Sequence, residues 1–161
     1  MSESQYPGSD GHKNSSYSEK HHFGYRWYDQ NKVKPAFEFG FGLTYTNFEF
    51  SDLVQADKTI TFTVKNTGEV QGSEVAQIYV GYPETKNVNG GYRSPKVLKG
   101  FVRVKDVKPG ESRRVSYTLK DEHFSFWDVE SATWMVDSGE YKIMIGSSSR
   151  DIRMNTVMSI S

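Results

Sequence analysis

Thr59-Ile60-Thr61-Phe62-Thr63-Val64-Lys65 alternates polar and apolar residues without a break. A side-chain period of two fits a strand with one buried face and fits no helix. Ile60, Phe62 and Val64 therefore predict a core-facing stripe, and Asn66-Thr67-Gly68 supplies the turn that ends it. The pattern recurs down the chain. Val75 to Tyr82 carries Ala76, Ile78 and Val80 in phase, and Val97 to Val104 forms a third run with Gly100 as a candidate bulge. Pro109-Gly110 turns the chain into Arg113 to Leu119. Thr133 to Val136, Tyr141 to Ile145 and Ile152 to Ile160 complete the series. Roughly seven or eight short strands between turn signals, with almost no helical period, predict an antiparallel β-sandwich.

The chain has 161 residues, which favours a single domain, and no cysteine. Disulfide frameworks, thiolate metal sites and the Cys…Trp…Cys signature of immunoglobulin domains are thereby excluded. An all-β, fibronectin type III-like (immunoglobulin-like) antiparallel sandwich is the remaining reading. Only 35% of residues are hydrophobic while 14% are aromatic, so the rings must carry much of the core, and Trp127 and Trp134 are expected within it. The longest expected loop, Pro83 to Pro95 with Asn89-Gly90-Gly91, reads as mobile.

Residues 1–40 differ in character from 41–161. They form an N-terminal arm with turn punctuation, a polar run and a dense aromatic cluster, Phe23, Tyr25, Trp27 and Tyr28. Ser16-x-x-Glu19 has the form of a capping box, which predicts a short helix with Phe23 and Trp27 on one face and an end at Asn31 to Pro35. Such an arm holds too little apolar surface to fold alone, so it must lean on another surface. It is also expected to add few contacts within the chain. The four rings are the candidate docking or sugar-contact surface. Docking is favoured, because exposed apolar patches more often meet protein.

Charge narrows the partners. Twenty basic residues balance twenty acidic ones, which argues against an extended nucleic-acid or anionic-lipid face. The longest apolar runs fall well short of the roughly 18 residues of a membrane span, and Met1 to Gly11 lacks a signal-peptide core. No phosphate loop, dinucleotide fingerprint, HExxH or GxSxG occurs. His21 and His22 are adjacent rather than four apart, and His12 and His123 are isolated, so none suggests a metal site. Asn14-Ser15-Ser16 is a glycosylation sequon. Glycoside hydrolysis needs two carboxylates across a sugar-sized gap. Glu19 and Asp29 are the best-placed pair, and capping or helix-end roles explain them more simply. Asp128 and Glu130 fit a solvated turn. This reading assigns no catalytic residue, no cofactor and no metal.

Gly24-Tyr25-Arg26-Trp27-Tyr28-Asp29, preceded by Tyr17-Ser18-Glu19 and followed by Phe39-Gly40-Phe41-Gly42-Leu43-Thr44-Tyr45-Thr46-Asn47-Phe48, resembles the consecutive motifs YxEG, GYRYYD and FPFGxGLSYTxF of glycoside hydrolase family 3, the β-glucosidases and β-xylosidases. Gly72 to Val80, Leu98-Lys99-Gly100-Phe101, Phe126-Trp127-Asp128, Val136 to Tyr141 and Gly146 to Ile152 continue in the family's order. Lys20, His21-His22, Glu38, Phe41 and Thr44 depart from it.

The resemblance implies the family's C-terminal fibronectin type III-like domain, entered by the linker out of its second catalytic domain. It implies a non-catalytic accessory role, with catalytic domains of such an enzyme as the partner, in cis or lost. It also implies that the nucleophile and the acid/base residue lie in domains outside these residues. Ser51-Asp52-Leu53 imitates the nucleophile motif in letters only. The alternative is a stand-alone carbohydrate- or protein-binding module, with a minimal glycosidase using Glu19 and Asp29 as the enzymatic rival. Without an aligned carboxylate pair, the chain is expected to leave aryl β-glucosides and β-xylosides at the buffer rate. Turnover lost in both Glu19→Gln and Asp29→Asn would reverse that expectation.

Overall fold

The computed structural model describes residues 20–83 and 93–161. The Ser16–Glu19 capping box, Glu19 itself, His12, the Asn14 sequon and loop residues 84–92 lie outside them. The described elements are helix α1 (Tyr25–Gln30), strands β1 (Phe48–Ala56), β2 (Thr59–Asn66), β3 (Gly72–Gly81), β4 (Val97–Val107) and β5 (Ser112–Thr118), helix α2 (Asp121–Phe124), and strands β6 (Phe126–Asp128), β7 (Thr133–Met135), β8 (Gly139–Gly146) and β9 (Ile152–Ile160). One sheet has the order β1-β2-β5, the other β4-β3-β8-β9, and β6-β7 form a separate hairpin. All pairings are antiparallel. The predicted sandwich is the observed one.

Ile60, Phe62 and Val64 are fully buried and face Ile78, Val80, Tyr141, Ile143 and Ile145 across the two sheets. Phe50 stacks on Phe62 at 6.0 Å, and Phe124 meets Tyr141 edge-on at 5.1 Å. Gly100 marks a bulge as expected: Ile78 pairs with Gly100 and Tyr79 with Leu98, leaving Lys99 as the extra residue. The Tyr117 ring lies so close over Gly100 that a side chain there would collide with it, and the Tyr117 hydroxyl donates to the Lys99 carbonyl at 3.2 Å. A second irregularity between Ser51 and Val54 places Asp52, φ 54°, on an exposed kink of edge strand β1. Its carboxyl accepts from Ser51 Oγ at 2.8 Å.

The core expectation for two tryptophans is corrected. Trp127 and Trp134 are 51% and 66% exposed and pair edge-to-face at 5.7 Å. They sit directly opposite each other in the β6-β7 register, on the side of the hairpin that no other layer of the described residues covers. The alternate residues face inward: Phe126 lies under the Arg93 guanidinium at 4.0 Å, and Asp128 is buried, accepting from the Ser131 amide and hydroxyl at 2.9 and 2.7 Å. Asp128 therefore caps a turn, while Glu130 is exposed.

One buried polar side chain ties the sandwich end together. Asn66 is fully enclosed. Its Oδ1 accepts from Thr46 Oγ1 at 2.6 Å and from the Gly68 amide at 3.0 Å. Its Nδ2 donates to the carbonyls of Val70 and Val107 at 2.8 and 2.9 Å. All four of its hydrogen-bonding positions are used. Asn66→Ala would strand buried carbonyls and is expected to cost about 3 kcal/mol in a denaturant melt. Phe62→Ala is expected to cost as much or more by leaving a cavity.

Candidate docking surface

The arm reaches the sandwich through α1. Gly24 combines a φ of 57° with a ψ of −137°, a backbone conformation that suits glycine, and its carbonyl accepts from the amides of Trp27 and Tyr28. The helix thus begins at Tyr25, and Phe23 falls outside it. This corrects the expectation that Phe23 and Trp27 share a helical face: Gly24, which lies between them, starts the helix instead. Asn31 ends it, its amide and Nδ2 both donating to the Trp27 carbonyl.

The four candidate rings do different things. Tyr25 turns inward, stacking on Phe39 at 4.8 Å and meeting Tyr79 of β3 edge-on at 6.1 Å. Its hydroxyl accepts from the Leu98 amide at 2.9 Å. Phe23 is exposed beneath the Arg26 guanidinium, 5.2 Å from its centroid. Trp27 and Tyr28 are half-buried and pack on each other at 85°. No flat shared platform results.

Asp29 is held where α1 meets the sandwich. Its carboxylate contacts Lys96 at 2.7 Å and Arg150 at 3.2 Å, with the Asp29 side chain only 8% exposed. Arg150 also donates to the Val33 carbonyl at 2.8 Å. A carboxylate shared by two cations is committed to structure, which removes Asp29 from a catalytic pair. The expectation that the arm adds few contacts is corrected by these bonds. Further along, the Ser149 amide donates to the Phe39 carbonyl at 2.8 Å, and Gln77 donates to Gly40 at 3.2 Å.

While the main chain is bound at Phe39 and Gly40, the apolar side chains at odd positions from 37 to 45 stay largely exposed. Phe37, Phe39, Phe41, Leu43 and Tyr45 are all exposed, Leu43 and Tyr45 by 92% and 96%. Phe37 and Phe41 touch at 5.4 Å. This ridge was missed as a surface by sequence reasoning, although its signal, five apolar residues at odd positions, was present in the motif. Beside it lies an open groove of about 330 Å³ whose lining includes Glu38, Phe41, Leu43, Glu74, Asp151 and Arg153. Arg153 holds the Asp151 carboxyl below its ordinary range through bonds of 2.9 and 2.7 Å. Burial pushes Glu74 up. At the other end of the arm, burial and the nearby Arg26 charge hold the Lys99 ammonium below its ordinary value. Among the described residues, no group of three or more His, Asp or Glu side chains is placed to hold a metal ion, and no helix is long and apolar enough to cross a membrane.

Residues 74–149 match the family model of the fibronectin type III-like domain. The chain is 39% identical over 159 residues to beta-glucosidase BoGH3A of Bacteroides ovatus, covering 94% of this chain and 20% of that protein. It is 39% identical to thermostable beta-glucosidase B of Acetivibrio thermocellus, covering 96% and 22%. The structure of beta-glucosidase 3B from Thermotoga neapolitana, in complex with alpha-D-glucose, superposes with a TM-score of 0.87 at 33% identity, over 98% of this chain and 22% of that one. The chain carries the fibronectin type III-like domain of the family 3 β-glucosidases. It spans about one fifth of the length of these curated relatives. In them, this accessory domain is part of a larger enzyme. The alignment covers the arm as well as the sandwich, so arm and domain occur together in the relatives.

The ion pairs fix what the arm is worth. Removing one partner of an enclosed pair leaves an uncompensated charge, so Asp29→Ala is expected to cost about 2 kcal/mol or more. Deleting residues 1–34 is expected to lower the melting temperature by at least as much as Asp29→Ala does. Calorimetry on the two proteins checks both.

Proposed function

We propose that this domain braces the catalytic domains of a family 3 glycoside hydrolase in cis, with the ridge Phe37 to Tyr45 and the exposed arm residue Phe23 packed against them. The whole protein would then hydrolyse terminal β-glucosyl residues. The chemistry would reside in the catalytic domains, and this domain would hold their arrangement. The observation that carries the reading is the ridge itself. Five large apolar side chains stand in water on a main chain already bonded to the sandwich. A patch of that kind marks a surface awaiting a partner. The one-fifth coverage of the relatives says where such a partner would come from.

Sugar binding finds less support. Tyr25 is taken up by Phe39 and Tyr79, and Trp27 by Tyr28, so successive pyranose rings have no row of faces to stack on. Any affinity of the isolated chain for gluco- or xylo-oligosaccharides is expected to be weaker than about 1 mM.

The docking reading is tested by exchanging the matching fifth of the Bacteroides ovatus enzyme for this chain. The chimera is expected to hydrolyse an aryl β-glucoside. Phe41→Ser with Leu43→Ser should cost the chimera most of its soluble activity while leaving the melting temperature of the isolated chain nearly unchanged. A chimera indifferent to the ridge substitutions, or inactive although this domain is folded within it, would overturn the reading.

A further inference from the structure

Arg26 of α1 and Lys99 of β4 are two half-buried cations on one patch: Arg26 lies over Tyr25, whose hydroxyl accepts from the Leu98 amide next to Lys99, and the charge of Arg26 reaches Lys99. Four other cations of the sandwich each have a carboxylate partner. Lys96 and Arg150 share Asp29, Arg93 meets Asp137 at 2.7 Å, and Arg153 meets Asp151. Among the described residues, neither Arg26 nor Lys99 has an ion pair. The Arg26 guanidinium lies 5.2 Å from the Phe23 ring and 5.9 Å from Tyr25, and its Nε is enclosed without a hydrogen-bond partner. The Lys99 ammonium lies 5.7 Å from the Tyr82 ring. The charge of Glu122 reaches Lys99, but Glu122 is exposed and sits 3.8 Å from both Lys120 and His123.

Like charges drawn together out of water oppose folding unless a counter-charge joins them. The backbone nonetheless favours this placement. Lys99 is the extra residue of the Gly100 bulge, a device that re-aims a side chain. Arg26 follows Tyr25, whose ring stacks on Phe39 of the ridge, so the two cations adjoin the exposed apolar surface.

We propose that Arg26 and Lys99 form a receptor for one carboxylate side chain, an Asp or Glu presented by the catalytic part of the enzyme, with Phe23, Tyr25 and Tyr82 as its apolar walls. The proposal rests on the docking reading and deepens it by naming a charged contact. A guanidinium fork beside an ammonium suits a carboxylate. Aromatic walls exclude water from the contact once the surfaces meet. The apolar ridge would supply contact area, and this pair would fix the register, since a buried charge pair discriminates strongly against misplaced partners.

The test reads one substitution in two settings. In the isolated chain, Lys99→Met removes a desolvated, unpaired cation and is expected to raise the melting temperature by a few degrees. In the Bacteroides ovatus chimera the same substitution is expected to lower it by several degrees, Lys99→Glu further still, while Lys99→Arg retains the parent value. Arg26→Gln serves as the second variant and should show the same reversal of sign. A purely structural pair would move both settings in one direction. If Lys99→Met destabilises the isolated chain, a carboxylate of the chain itself already holds the pair and the proposal falls. If the chimera ignores Lys99→Met and Lys99→Glu but still depends on Phe41 and Leu43, docking stands and the receptor falls. A chimera indifferent to both sets of changes removes the docking reading and the receptor with it.

Discussion

Strand β3 is enclosed on both faces, and much of the molecule follows from having to cover it twice. Ala76, Ile78 and Val80 face the other sheet, whereas Gln77 and Tyr79 point outward and are buried all the same. Burying that outer face requires hydrogen bonds as well as apolar cover. The Tyr79 hydroxyl donates to Gln77 Oε1 at 2.5 Å, and Gln77 Nε2 donates to the carbonyls of Gly40 and Ser147 at 3.2 and 2.6 Å. Burial pushes the Tyr79 phenol well above its ordinary range, so it stays a donor. Two of these partners, Gly40 and the Tyr25 ring, belong to the arm. The arm is thus a third layer over the sandwich.

That role explains why the arm is both bound and conspicuous. Its main chain and α1 supply the bonds that close β3, with Asp29 bridging Lys96 and Arg150 as the charged fastening. Its main chain turns at Glu38 to Phe41, where the Phe41 amide donates to the Glu38 carbonyl and Gly40 takes a φ of 82°. The ridge from Phe37 to Tyr45 offers large apolar side chains to solvent, while the Phe39 and Gly40 carbonyls bond to the sandwich. A segment that served only as cover would gain from polar residues at those positions. Aromatics there are consistent with a further surface that lies against them, in keeping with relatives five times as long.

The hairpin of β6 and β7 illustrates the same geometry without cover. Its alternation is regular, and Phe126 and Asp128 do face inward. Directly opposed Trp127 and Trp134 gain an edge-to-face contact with each other, yet among the described residues no layer lies beyond them. The hairpin leaves the sandwich edge on a strand pair too short to join either sheet.

The sequence by itself determined seven of the nine described strands, all but β1 and β6, with most of their turns, the Gly100 bulge and the buried stripe of Ile60, Phe62 and Val64. These depend on local period and turn chemistry, which are written residue by residue. Its motifs also carried the family resemblance. Tertiary structure alone decided which faces are covered. Alternation says that Gln77 and Tyr79 oppose Ile78, and that Trp127 opposes Phe126, but not that the arm helps bury the first pair while the tryptophan stays half exposed. It likewise assigned Asp29 to Lys96 and Arg150, which lie 67 and 121 residues away by the numbering, and left Arg26 and Lys99 without an ion pair among the described residues. Long-range pairings of that kind arise from how layers stack, and the stacking depends on the whole set of surfaces at once.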